Sequence, residues 1–400
     1  MRTNRLSVKI LALLFACLTL LLLASCGPTA QTEPTAAKTT AETAAEPAKY
    51  TVRLNAPAST AIHTALQARY LADSDVFSVL TYADKEGKEE LSRPTPITLT
   101  WETETDLRES DIREYRIRIW VAANSAETVE ATVPGSETEY AFYNARVGTK
   151  YRWTVTAVDG DGKTYPSATA VFTTVDGCPR NLYVDGITNV RDVGGWKTLD
   201  GGRVRQGLLF RGSKLAANKN AKQILITEKG IATLRDELGV RSEIDLRLET
   251  QLGGLTSSPL GNTVNFYSCP MEDDYNTMFT TASNLQNVRA VFALLADESN
   301  YPIYFHCSIG ADRTGLIAWL VNGLCGVSED DLWRDHLFTN FGEINATRTT
   351  GIRKAYVNKL ESAPGDTFAD QIYNYLKNTV GVPESDLQAV VRIMKEPAAK

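Results

Sequence analysis

The chain has 400 residues, 43% of them hydrophobic and 22% charged, which leaves room for about two or three soluble domains with cores of ordinary size. A formal net charge of −6 is the wrong sign for nucleic acid as the main partner, because phosphate-backbone binding needs a broad basic face. The three histidines, His63, His306 and His336, have no metal-ligand spacing, so neither a metal nor another cofactor is expected.

Arg2, Arg5 and Lys9 precede an apolar run from Ile10 to Leu23, too short and too basically flanked for a membrane span but built like a signal peptide. Leu23-Ala24-Ser25-Cys26 resembles a bacterial lipobox. That resemblance implies removal of residues 1–25 and acylation of Cys26; a plain secretory cleavage site is the alternative. Two or more acyl chains would give stable anchoring, so an extracytoplasmic lipoprotein on the cell membrane is expected. Residues 26–49 are Ala, Thr, Glu and Pro with almost no large apolar side chain. They read as a flexible tether, on the order of 25 Å long as a random coil. Cys17 would be lost with the signal, and Cys178, Cys269 and Cys325 lack framework spacing. These three read as buried small residues rather than a disulfide set.

Residues 50–176 have a β texture. Pro96 to Trp101, Tyr115 to Val121 and Tyr151 to Val158 alternate apolar and polar side chains between Gly, Asp and Asn turns, the pattern of a small antiparallel sandwich. Trp101, the corner from Asn144 to Tyr151 and the closing Phe172-Thr173-Thr174 resemble a fibronectin type III module over about residues 94–175. Residues 50–93, with a helix near Ala61 to Ala72, do not fit that module. A spacer is the preferred role for the β domain, with binding of carbohydrate or protein as the alternative.

From Cys178 strands and helices alternate, and residues 178–397 read as one α/β domain. Asp200-Gly201 is a hairpin turn and Gly194-Gly195 a close backbone approach. Thr227 caps a helix that runs to Leu238, and Gly239 to Arg247 holds a buried strand. Met271 to Tyr275 places Asp274 and Asp273 33 and 34 residues before Cys307. Ser328 opens another helix, and Pro383 to Lys395 forms the last.

The chemistry concentrates between Tyr301 and Gly315. Ile303, Tyr304 and Phe305 end a buried strand, and a helix begins at Arg313 and stops at Gly326. Cys307 and Arg313 thus flank one tight turn. Such a loop turns the N–H groups of Ser308, Ile309, Gly310, Ala311, Asp312 and Arg313 inward, and the helix dipole favours an anion there. Arg313 can hold two phosphate oxygens at once, and the same field would bring the Cys307 thiol to roughly pH 3.5–7.5.

His306, Cys307, Gly310, Arg313 and Thr314 match the HCxxGxxR(S/T) signature, and the fuller HCxxGxDRTG form resembles a bacterial branch of the protein tyrosine phosphatases. The stretches from Asn189 to Gly195 and from Leu209 to Ser213 resemble the start of that branch. The expected architecture is therefore an α/β phosphatase domain, a central sheet flanked by helices, preceded by an all-β sandwich. The resemblance implies a cysteinyl-phosphate mechanism on a phosphorylated protein or small phosphomonoester. Cys307 is the nucleophile and Arg313 binds phosphate. Thr314 assists the leaving sulfur, and His306 orients Cys307 or merely packs.

For the general acid, the matching bacterial enzymes imply Asp312, whereas mobile-loop phosphatases imply Asp273 or Asp274. Arg191 and Arg211 either support the loop or form structural ion pairs. Ala311 stands where lipid-active members carry lysine, which weakens a phosphoinositide or inositol phosphate substrate, the runner-up. A catalytically silent surface-binding lipoprotein is the remaining rival.

Overall fold

Along Tyr115-Arg116-Ile117-Arg118-Ile119 and Tyr151-Arg152-Trp153-Thr154-Val155 every second side chain is buried, which makes each segment a strand with one wet face. In the computed structural model the two pair antiparallel, with Ile117 opposite Val155 and Ile119 opposite Trp153. The structure describes residues 50–105, 111–275, 277–349, 356, 359, 360 and 362–398. The signal-like segment, the tether and Cys26 lie outside the described residues.

The sandwich consists of β1 (Tyr50–Leu54), β2 (Ile97–Thr105), β3 (Ile112–Val121), β4 (Asn124–Pro134), β5 (Glu139–Phe142), β6 (Lys150–Asp159), β7 (Thr164–Pro166) and β8 (Ala170–Thr173). One sheet runs β1-β2-β5, and the other runs β4-β3-β6-β7 with β8 also on β6. Ile97, Leu99, Trp101, Trp153 and Val155 fill the space between them.

Of residues 50–93, β1 joins the sandwich in a way its sequence does not show. β1 pairs with β2 along its whole length, burying Tyr50 and Val52 in the sandwich core. The chain then leaves the sheet and forms α1 (Ala65–Ala72), capped by Thr64, and a short turn over Ser78–Thr81. Tyr70 and Val79 pack on Leu337, Phe338 and Phe341 of the following domain. An apolar set shared with a distant surface has no period of its own.

The module is docked on the catalytic domain. The buried Gln67 accepts from Thr64 N and from Asn181 Nδ2 at 3.1 Å, and donates to the Leu91 and Arg93 carbonyls. Arg180 donates to the Ala145 and Asn144 carbonyls, and Gln206 exchanges two hydrogen bonds with the Val147 backbone. All of this belongs to one compact unit.

The second domain has β9 (Arg180–Asn181), β10 (Arg191–Asp192), β11 (Arg203–Val204), β12 (Leu209–Gly212), β13 (Ser242–Asp245), β14 (Asn265–Ser268), β15 (Ile303–His306) and β16 (Lys395–Glu396). Its main sheet has the order β14-β13-β15-β12-β10-β9. The first four strands are parallel and the β10 and β9 edge is antiparallel. Helices α2 (Glu228–Ala232), α3 (Glu249–Leu252), α4 (Ala282–Leu295), α5 (Asp312–Leu324), α6 (Glu329–Leu337), α7 (Phe368–Asn374) and α8 (Glu384–Met394) surround it.

Both sheet faces are covered, as a parallel sheet requires. Leu209, Ile244, Ile303 and Phe305 face a core shared with α4, α5 and α8, while Phe210 and Tyr304 face a second core with Leu234. Every residue of α5 is buried. Ligands of such sheets bind at the carboxyl ends of the strands, and the central β15 ends at His306, one residue before Cys307.

Because the module and the catalytic domain share buried polar contacts and an apolar cluster, calorimetry of residues 50–400 should show one unfolding transition. Gln67→Ala strands the Asn181 amide and two carbonyls and should cost about 2–4 kcal/mol. Two separate transitions, with the substitution shifting only one, would show independent domains.

Candidate active site

The loop between β15 and α5 is held open from behind. The Cys307 carbonyl lies 3.0 Å from His306 Nδ1, and the Ser308 carbonyl accepts from Lys214 N at 3.4 Å. The Ile309 carbonyl accepts from Asn189 Nδ2 at 3.1 Å and the Gly310 carbonyl from Arg211 Nη2 at 2.9 Å. In a trans peptide the next N–H points the opposite way, so the amides of Ser308, Ile309, Gly310 and Ala311 line the concave side. Gly310 is a positional necessity: its φ is +71°, and a Cβ there would stand 2.5 Å from the Gly212 backbone.

Cys307 is 1% exposed. Burial alone would push its thiol up, but the Arg313 charge, the Thr314 hydroxyl and the amides of Thr314 and Ile309 outweigh it, bringing it down to about 7. At neutral pH about half of it is thiolate, the reactive form. The Thr314 hydroxyl has no nitrogen or oxygen partner among the described residues and serves the sulfur.

Arg313 is buried and fixed on one side. Its Nη1 donates to Gln251 Oε1 at 2.9 Å and to the Met271 carbonyl at 3.2 Å. Its Nη2 has only long contacts, 3.4 Å to Ser308 Oγ and 3.5 Å to Asp273, and its buried Nε has no partner among the described residues. One edge of the guanidinium is therefore committed to the protein and the Nε edge is free for a two-pronged grip on phosphate.

His306 is buried between two carboxylates, with Nε2 2.9 Å from Glu243 Oε1 and 3.7 Å from Asp245 Oδ2. Burial pulls its pKa down, but Asp245 and Glu243 override this and raise it. Glu243, Asp245 and His306 bring their donor atoms within 4.8 Å of one another, as a metal site would. Their ligand atoms are already engaged: Ser258 donates to Glu243, and Arg247 forks onto Asp245. The set works as a hydrogen-bonded brace at the start of the loop.

Arg191 and Arg211 meet on Asp335, at 2.9 and 2.6 Å. Arg211 also reaches the Gly310 carbonyl, so it is both a structural ion pair and a support of the loop. Arg191 acts one step further back, on Asn189.

Of the three candidate acids, Asp312 follows the loop directly and Asp273 lies 3.5 Å from Arg313 Nη2. Asp312 opens α5, and Arg348 donates to both of its oxygens at 2.6 Å while the Tyr275 hydroxyl donates to Oδ1. Asp273 is 58% exposed above Arg313. Asp274 starts a turn, its carbonyl accepting from Thr277 N and Met278 N. Arg348, Tyr275, Gln251 and Asn189 escape sequence reasoning. The one available hint is that a buried aspartate beside a phosphate site needs a cation, and a cation 36 residues away has no local mark.

The model of the tyrosine phosphatase family matches residues 182–397 and that of the fibronectin type III domain residues 90–173. A Cupriavidus necator protein named provisionally as a tyrosine-protein phosphatase is 26% identical over 187 residues, 44% of this chain and 68% of its own length. Among solved structures, Pseudomonas aeruginosa TpbA is 18% identical over 46% of this chain and 97% of its own, with a TM-score of 0.28. The fibronectin type III domain of human contactin 1 is 22% identical over 22% of this chain and 73% of its own, with a TM-score of 0.19. With a family match over more than half of its residues and the thiolate cradle in place, the chain belongs to the tyrosine phosphatase family.

Proposed function

We propose that the protein hydrolyses phosphotyrosine in proteins through a cysteinyl-phosphate intermediate. The observation that carries this reading is the conjunction of a buried Cys307 lowered to about 7 with the unpartnered Nε of Arg313 and inward amides. In the first step Cys307 Sγ attacks phosphorus in line, the bond to the leaving oxygen breaks, and that oxygen takes a proton. In the second, water attacks phosphorus, the S–P bond breaks, and Thr314 hydrogen-bonds the departing thiolate. Arg313 and the amides hold the equatorial oxygens throughout. The match to the tyrosine phosphatase family supports phosphotyrosine as the substrate class.

Asp312 is our choice for the proton donor. In the resting structure Arg348 and Tyr275 occupy its oxygens, so donation requires the Arg348 fork to open. Asp273 and Asp274 are the rivals, carried on the stretch after β14.

For the address, the sequence up to Cys26 supports an acylated, extracytoplasmic protein on the cell membrane. Mass spectrometry should find the mature chain beginning at acylated Cys26, and Cys26→Ala should release it from membranes; an unmodified mature chain beginning elsewhere would contradict this.

Alkylation of Cys307 by iodoacetamide should rise with pH through a midpoint near 7, because the thiolate forms as the proton leaves. Arg313→Ala should move that midpoint upward. Cys307→Ser should abolish turnover of aryl phosphates while keeping phosphate binding; retained turnover would sink the mechanism. Asp312→Asn should slow substrates with poor leaving groups by about 10²-fold and activated aryl phosphates far less. The same sensitivity in Asp273→Asn instead would move the proton donor to the exposed loop.

A further inference from the structure

Beside the catalytic loop lies a cavity of about 370 Å³, bounded by Ser308 and Ile309. Ile187, Leu225 and Ile344 give it apolar walls, and Lys214 lines it next to the loop. The Lys214 backbone N–H holds the Ser308 carbonyl, which fixes this lysine at the edge of the phosphate cradle. Its side chain is half-buried, and no acidic partner engages its ammonium among the described residues. Burial and the Arg247 charge pull its pKa down, and the Cys307 thiolate opposes them, so the lysine feels the charge of the catalytic centre. Two acidic residues also border the cavity. Glu90 is engaged by the Ser92 amide and hydroxyl and by Thr188, and Glu343 is exposed at the rim. Arg93, stacked at 4.7 Å over the Tyr183 ring, adds a second positive charge from the segment that leaves the sandwich between β1 and β2.

We propose that this cavity is a specificity subsite, in which Lys214 receives the carboxylate of an acidic side chain flanking the phosphorylated residue of a peptide. The proposal rests on the phosphatase reading of the Cys307 loop and adds a sequence preference to it. The apolar walls of Ile187, Leu225 and Ile344 beside a half-buried ammonium fit the methylenes and carboxylate of glutamate. A second phosphate would need several converging donors, whereas the cavity offers one half-buried lysine and an Arg93 already stacked on Tyr183. The β module takes part directly, since Glu90 and Arg93 form one wall.

The test compares kcat/KM of the full chain on three phosphotyrosine peptides that differ in the flanking residue, glutamate, alanine or lysine, with p-nitrophenyl phosphate and a bisphosphorylated polyol alongside. The wild type should prefer the glutamate peptide over the alanine peptide on the order of fivefold, mainly through KM. Lys214→Gln should erase the ratio, and Lys214→Glu should turn it toward the lysine peptide, a reversal that loss of structure cannot produce. Equal rates on the three peptides with aryl phosphate still hydrolysed would overturn the subsite and leave the phosphatase reading standing. No hydrolysis of any substrate would overturn both. A preference for the polyol that disappears in Lys214→Gln would overturn the peptide assignment.

Discussion

A thiolate buried at the centre of a protein has lost its water, and the surrounding structure exists to replace it. An ion taken out of water without compensation simply reverts to its neutral form. Here compensation comes from one guanidinium and from amides whose orientation is itself enforced by outside donors. The next shell then faces the opposite problem, because Arg191, Arg211 and Arg313 crowd positive charge into the same interior. Burial and the charge of Arg191 bring Arg211 down to about 10. Asp335, whose carboxyl pKa is lowered by these two arginines despite its burial, balances the pair. His336 stays neutral, brought to about 3 by burial and by Arg211, so it adds no further charge. Gly315 makes this packing possible, since a Cβ there would stand 2.7 Å from His336 Nδ1.

Local rules recover whatever is locally determined. Thr227 and Ser328 accept the amides that their caps require, Gly201 sits at φ +83° in the turn assigned to it, and α5 runs from Asp312 to Leu324 before Gly326. The cradle was legible for the same reason, because a strand, a loop and a helix adjacent in sequence build it. What was not legible depends on distant pairing. Arg348 meets Asp312, Asn189 meets Ile309, and Gln251 meets Arg313, each through a side chain whose own neighbourhood is ordinary. β1 was missed because five residues of strand separated from their partner by more than forty carry too little pattern.

The sandwich is also less separable than its family resemblance suggests. A fibronectin type III module matched over residues 90–173 leaves out β1 and α1, yet these complete one sheet and fasten the module to the catalytic domain. Ser92 accepts from the Asn189 amide, and Asn189 holds the Ile309 carbonyl, so the docking segment stands two hydrogen bonds from the phosphate loop.

That connectivity has a consequence for biosynthesis. Tyr70 and Val79 bury against Leu337, Phe338 and Phe341, which leave the ribosome only after most of the chain. Until then α1 has no partner, and the long-range closure must wait while its apolar face is exposed. A truncated product lacking the region around residue 340 would therefore keep α1 without the apolar surface that buries Tyr70.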